Sequence, residues 1–86
     1  MHIGLHRSFV KKFKRLPKPI QQKFIERKNL FIGDPFNPLL NNHSVDRAFR
    51  ACRSINVTGD YRAIFKEEGT GITFLMIGSH AELYGK

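Results

Sequence analysis

The chain has 86 residues, enough for one domain with a single small core, and eight Phe and two Tyr without any Trp supply most of its bulk. Fifteen Lys and Arg against seven Asp and Glu leave a formal charge of +8, which favours a polyanionic partner, nucleic acid foremost. The one cysteine, Cys52, excludes an internal disulfide, and no apolar run is long enough for a signal peptide or a membrane span, so a cytoplasmic protein with no membrane partner is expected.

Residues 2–6 alternate polar and apolar and predict a short first strand. Ser8 is placed to cap the helix that follows, where Phe9, Phe13 and Leu16 recur at helical spacing. The other face of that helix carries Lys11, Lys12, Lys14 and Arg15. Pro17 and Pro19 end it and begin the next, because proline suits a first helical turn and breaks an interior. Ile20, Phe24, Ile25, Phe31 and Ile32 mark the apolar side of this second helix, which Gly33-Asp34-Pro35 stops. The two helices are expected to form a hairpin.

Residues 35–47 read as an ordered loop. From Ala48 the period becomes two, with Phe49, Ala51, Ile55 and Val57 on one face and Arg53 among them. Thr58-Gly59 turns the chain, Gly59 being suited to a positive φ. Residues 61–66 form the partner strand. Gly69 and Gly71 flank a second turn, and residues 72–77 are apolar on both faces, as in a central strand. A short helical turn at 81–84 ends the chain. The order β-α-α-β-β-β predicts a single α+β domain over 1–86, with an N-terminal strand and a helical hairpin packed on a small, mostly antiparallel sheet.

Four histidines raise the question of a metal. His2 and His6 share a strand but have no Cys or carboxylate at ligand spacing, so no metal and no cofactor is expected. His80 differs, because it stands where the chain leaves its most apolar strand, held rigidly yet open to solvent. Imidazole exchanges a proton near neutral pH. Tyr84, four residues on, is within reach of the same site and can stack on a base or hold a phosphate. Asp60 and Arg62 lie two apart on one strand, hence on one face. They read either as a structural pair or as a carboxylate and a planar donor fork that suits phosphate. Arg53, in an apolar alternation, must be paired or look into a cleft. Lys11, Lys12 and Lys14 form a solvated face able to track an RNA backbone. Metal-free RNA cleavage needs a base for the 2′-hydroxyl, an acid for the departing 5′-oxygen and cations at the phosphate. Histidine, aspartate and arginine supply all three.

Nearly the whole chain resembles a RelE/ParE-superfamily toxin, most of all the YafQ-like mRNA interferases. The resemblance rests on Phe9 and Phe13, Leu16-Pro17, Asp34-Pro35, Pro38-Leu39 and Asn42-His43, in that order. Its most specific parts are Arg53-Ser54-Ile55, Gly59-Asp60-Tyr61-Arg62 and Gly78-Ser79-His80 with Tyr84. It implies a ribosome-dependent endoribonuclease that cuts mRNA and is silenced by a cognate antitoxin, with operator DNA bound only through the antitoxin complex. By position it assigns catalytic roles to His43, Asp60, His80, Arg62 and Tyr84. Asn56 stands where YafQ-like enzymes have a second histidine. Asparagine binds phosphate but cannot exchange a proton at neutral pH, so Asp60 or His43 must act as the base. Arg53 and Asn56 join the lysines as expected RNA contacts. Two other functions share the scaffold or the charge: a ParE-like gyrase inhibitor without nuclease activity, and a non-catalytic RNA- or ribosome-binding module.

Overall fold

The computed structural model describes residues 1–85. Strand β1 (His2–Leu5) is followed by helices α1 (Arg7–Lys14) and α2 (Lys18–Gly33), a single 3-10 turn at Pro38–Leu40, strands β2 (His43–Ser44), β3 (Cys52–Asn56), β4 (Tyr61–Glu68) and β5 (Gly71–Ser79), and helix α3 (His80–Tyr84). The sheet order is β1-β5-β4-β3-β2, with β1 parallel to β5 and every other pair antiparallel. The expected α+β architecture is present, with one strand more than expected: the loop at 35–47 contains β2.

Proline placement explains the helical hairpin. Pro17 precedes α2 and Pro19 lies in its first turn, where a missing N–H costs nothing. Gln21 bridges the two helices, its Nε2 donating to the carbonyls of Phe13 and Leu16 at 3.1 and 3.0 Å. The cap of α1 is not Ser8. His6 holds the cap position and its Nδ1 accepts the Ser8 N–H, while the Ser8 hydroxyl donates to the Leu75 carbonyl at 2.7 Å and pins the helix to β5.

Both helices pack on one face of the sheet. Phe9, Phe24, Phe31, Phe65 and Phe74 meet there with ring centroids 5.0 to 6.3 Å apart. Each buried phenylalanine stabilises the fold by roughly 1.5–3 kcal/mol relative to exposure. Leu16, Leu40, Ile55, Val57, Ala63, Ile72 and Ile77 complete the core. Ile25 and Ile32 were expected on the buried side of α2, but both are 44% exposed. Phe24 and Phe31 take the inward direction, and a residue one position further lies about 100° around the helix.

Strand β3 begins at Cys52, so the period-two reading from Ala48 started too early: Phe49 and Ala51 belong to the preceding turn, where Ala51 has φ 61°. The positive φ expected at Gly59 occurs instead at Gly69, with φ 59°. The turn before β4 is built by Thr58, whose Oγ1 accepts the N–H groups of Asp60 and Tyr61. Gly71 has a different necessity. A Cβ there would stand 2.1 Å from the His2 carbonyl oxygen, so β1 can pair beside it only because the residue is glycine.

The register of β5 slips once. Ile64 pairs with Met76 and Phe65 with Phe74, which leaves Leu75 as an extra residue in a β-bulge. Ile72, Phe74 and Ile77 therefore all face the helices, and Met76 and Gly78 turn to the opposite face. That second face carries the candidate site.

Candidate active site

On the face away from the helices, the register places His43 opposite Ser54, Ser54 opposite Ile64, Asn56 opposite Arg62, and Arg62 opposite Gly78. Beyond Gly78 the chain enters α3. A cleft of about 540 Å³ opens there, lined by Asn41, His43, Ser44, Val45, Asp46, Arg47, Ala48, Arg62, His80 and Tyr84. Four of the residues singled out from the sequence thus meet in one place: His43 from β2, Arg62 from β4, and His80 and Tyr84 from α3.

His43 is exposed, and its Nδ1 lies 2.7 Å from the Asn41 carbonyl oxygen. A carbonyl can only accept, so Nδ1 carries the hydrogen. In the neutral ring the lone pair is then on Nε2. Asn41 makes this contact from a left-handed conformation, φ 47°, at the end of the 3-10 turn.

Arg62 donates from Nη1 to the carbonyls of Thr58, Gly59 and Tyr61 at 3.0, 3.2 and 3.1 Å. One corner of the guanidinium is anchored to the turn at 57–60 while the side chain borders the cleft. No carboxylate pairs with it: the ion pairs among the described residues are Lys12–Glu82 and Lys23–Glu26.

His80 is the first residue of α3. Its backbone N–H donates to the Asp60 carbonyl at 2.9 Å, and its ring stacks obliquely on Tyr84 with centroids 4.7 Å apart. The start of α3 is held by a capping box. Ser79 Oγ accepts the Glu82 N–H at 3.1 Å, and Glu82 Oε1 accepts the Ser79 N–H at 2.8 Å. The other carboxylate oxygen of Glu82 takes Lys12 Nζ at 2.5 Å. Hydrogen bonding from Lys12, then from the Ser79 backbone, holds the Glu82 carboxyl below its ordinary value.

The remaining candidates are placed elsewhere. Asp60 is exposed, does not line the cleft, and joins His80 through its main chain. Arg53 lies on the helix side of the sheet, the pairing alternative of its two readings. Its Nε donates to Asn42 Oδ1 at 2.8 Å, its Nη2 to the Asn42 carbonyl at 3.3 Å, and its guanidinium sits 5.6 Å from the Phe36 ring centroid. Asn56 is half-buried with an unpartnered Oδ1. Lys12 is tied to Glu82, whereas Lys11 and Lys14 are exposed. The sequence reading missed Asn41, Ser44 and the wall at 45–48. Asn41 had a signal: asparagine just after a Pro-Leu-Leu turn suits a left-handed cap.

The lining includes two arginines, Arg47 and Arg62, and one carboxylate, Asp46, whose Oδ1 accepts the Ala51 N–H. The cleft is therefore cationic and fits a phosphate. Among the described residues no three His, Cys, Asp or Glu side chains gather at metal-ligand distance, and no helix is long and apolar enough to cross a membrane.

Neither a family model nor a curated protein matches the sequence. Solved structures do. The crystal structure of YafQ from E. coli strain BL21(DE3) superposes with a TM-score of 0.81 at 23% identity, over 98% of each chain. The fold is that of the RelE-like toxins. In the E. coli DinJ-YafQ toxin-antitoxin complex the matching chain is 22% identical with a TM-score of 0.79, covering 98% of this chain and 97% of that one. In the RelB-RelE antitoxin-toxin complex from Methanococcus jannaschii it is 18% identical with a TM-score of 0.74, over 95% of each chain. On this RelE-like scaffold, the cleft lies where β2, β4 and α3 converge.

Proposed function

We propose that the protein is the toxin of a type II toxin–antitoxin pair and that it cuts mRNA on the ribosome by acid–base catalysis, without needing a metal. The observation that carries this reading is the meeting of His43, Arg62, His80 and Tyr84 around one cationic cleft. Two imidazoles supply the base and the acid that 2′-hydroxyl attack requires. The Nδ1–H of His43 is engaged by Asn41, so its Nε2 takes the 2′-hydroxyl proton. The 2′-oxygen attacks phosphorus, the bond to the 5′-oxygen breaks, and His80 protonates that oxygen. The products are a 2′,3′-cyclic phosphate and a 5′-hydroxyl. Arg62, anchored through Nη1, directs its remaining N–H groups at the crowded phosphate. Tyr84 stacks on a neighbouring base.

Of the two candidate bases, this assignment takes His43. Asp60 serves as a main-chain anchor for His80, Asn56 as a neutral contact, and Lys11 and Lys14 as contacts to the RNA backbone. The DinJ-YafQ and RelB-RelE complexes support an antitoxin partner. A formal charge of +8 calls for an acidic one, and operator DNA is reached only through that complex. A cytoplasmic location follows from the ribosome as target.

The test is cleavage of mRNA on programmed ribosomes with end-group analysis of the products. Wild-type protein should leave 5′-hydroxyl ends, and His80→Ala should slow cleavage by about 10²–10⁴-fold. Intact mRNA together with inhibited gyrase would place the protein with the ParE-type toxins, and ribosome binding without cleavage would make it a binding module.

A further inference from the structure

Helix α3 is five residues long, lies on β5 with Leu83 beside Gly78, and fully buries none of its side chains. Three polar supports act near its start: the bond from the His80 N–H to the Asp60 carbonyl, the capping box, and the bond from Lys12 on α1 to Glu82. A ring contact acts at its end. The Tyr84 ring meets the Phe49 ring edge to face, with centroids 6.0 Å apart and planes at 72°. The same tyrosine contacts His80, so Phe49, Tyr84 and His80 make consecutive ring contacts leading to the cleft. Among the described residues, Phe49 is the one ring outside α3 that touches Tyr84.

Phe49 stands on a well-bonded mount. Its N–H donates to the Val45 carbonyl at 2.8 Å, and its carbonyl accepts the Cys52 N–H at 3.0 Å. Ala51, at φ 61°, is held by Asp46. The turn at 45–51 thus fixes Phe49 through its main chain, whereas the supports of α3 lie at its start and leave the Tyr84 ring to its contacts with Phe49 and His80.

We propose that Phe49 is a positioning residue: it sets the placement of Tyr84 and, through that ring, the aim of the His80 imidazole into the cleft. The kinetic consequence rests on the nuclease reading above, whereas the geometric one does not. An acid misplaced by a fraction of an ångström transfers its proton poorly while substrate binding is little changed, so the effect falls on kcat rather than KM.

The experiment compares Phe49→Ala, Phe49→Leu and Phe49→Tyr with the wild type, reading the His80 imidazole proton shifts by NMR and the cleavage kinetics. Tyr84→Ala supplies the His80 shift without the tyrosine ring current. Phe49→Ala should move the His80 shift most of the way to the Tyr84→Ala value and lower kcat by about 10- to 100-fold, with KM within about twofold. Phe49→Tyr, which keeps the ring edge, should match the wild type in both. Folded Phe49→Ala with wild-type shift and kcat overturns the proposal. Should Phe49→Ala not fold, Phe49→Leu keeps the apolar volume and lacks the ring; wild-type values there overturn the proposal equally. If the wild type cleaves no RNA, the nuclease reading fails by itself, and the shifts still decide whether Phe49 positions His80.

Discussion

The Asn41 carbonyl oxygen lies 2.7 Å from His43 Nδ1 and so determines which nitrogen of that ring can take a proton. The carbonyl points there because Asn41 is left-handed, a conformation that asparagine and glycine tolerate and β-branched residues do not. Asn41→Gly should keep both fold and cleavage. Asn41→Val should lose about 1–2 kcal/mol of stability and slow cleavage. A urea titration and a cleavage assay on each variant check this; a valine variant equal to the wild type in both would remove the orienting role.

The two arginines singled out in the sequence should separate on mutation. Arg62→Ala removes a cation from the cleft and should slow cleavage by about 10²–10³-fold, on the scale of losing one preorganised electrostatic contact. Arg62→Lys should rescue little, because an ammonium cannot hold three carbonyls from one corner and a phosphate from another. Arg53→Ala should cost about 1–3 kcal/mol by freeing Asn42, and should slow cleavage far less than Arg62→Ala, through the neighbouring Asn41–His43 contact alone. Denaturation midpoints measured beside kcat distinguish the two patterns.

Glu82 contributes a pH dependence whose direction follows from its lowered pKa. A carboxyl depressed in the folded state adds stability above its unfolded value, near 4.3, and loses that stability as pH falls through the folded value. The stability gap between wild type and Glu82→Gln should therefore narrow on acidification from about pH 6.5 to about pH 3. The pair with Lys12 is largely exposed, so its own share should stay at or below about 1 kcal/mol and shrink in high salt. Ser79→Ala, which removes the capping hydroxyl, should cost about 1 kcal/mol at every pH. A gap that widened in acid would contradict the assignment.

Cys52 is 5% exposed, and burial pushes its thiol above the usual cysteine range, with Lys66 opposing and Asp46 adding to the shift. It should react with a disulfide reagent far more slowly in the folded protein than in urea. Equal rates in the two states would mean that the turn over β3 opens readily.

Much of the fold was legible because its signals are local. Proline and glycine punctuation places the two helices, and alternation places β3 and β4. Strand β2 was not legible, since two residues cannot display a period. The bulge at Leu75 was hidden by its neighbourhood: residues 72–77 are all apolar apart from Thr73, so a slipped phase leaves no trace in the pattern. At the site, Arg62, His80 and Tyr84 were legible from their places on the strands and at the end of the last one, and His43 through motif resemblance alone. The partners of Arg53 and Lys12 were not, because Asn42 and Glu82 lie 11 and 70 residues away in sequence. A side chain's freedom to bind RNA depends on such distant partners, and composition is blind to them.

The extra residue at Leu75 also bears on how this domain tolerates change. Deleting it would leave a regular ladder, with Phe65 still opposite Phe74 and Ile64 still opposite Met76, so Ile77 would stay in the core and Met76 and Gly78 on the other face. Keeping Leu75 but pairing it in place of Met76 would instead exchange the two faces. Looping Leu75 out of the ladder is thus what keeps Ile77 under the helices and Gly78 under His80. The strand can therefore absorb the loss of that residue, whereas a one-residue slip of the ladder with Leu75 kept would invert everything from Met76 to Ser79.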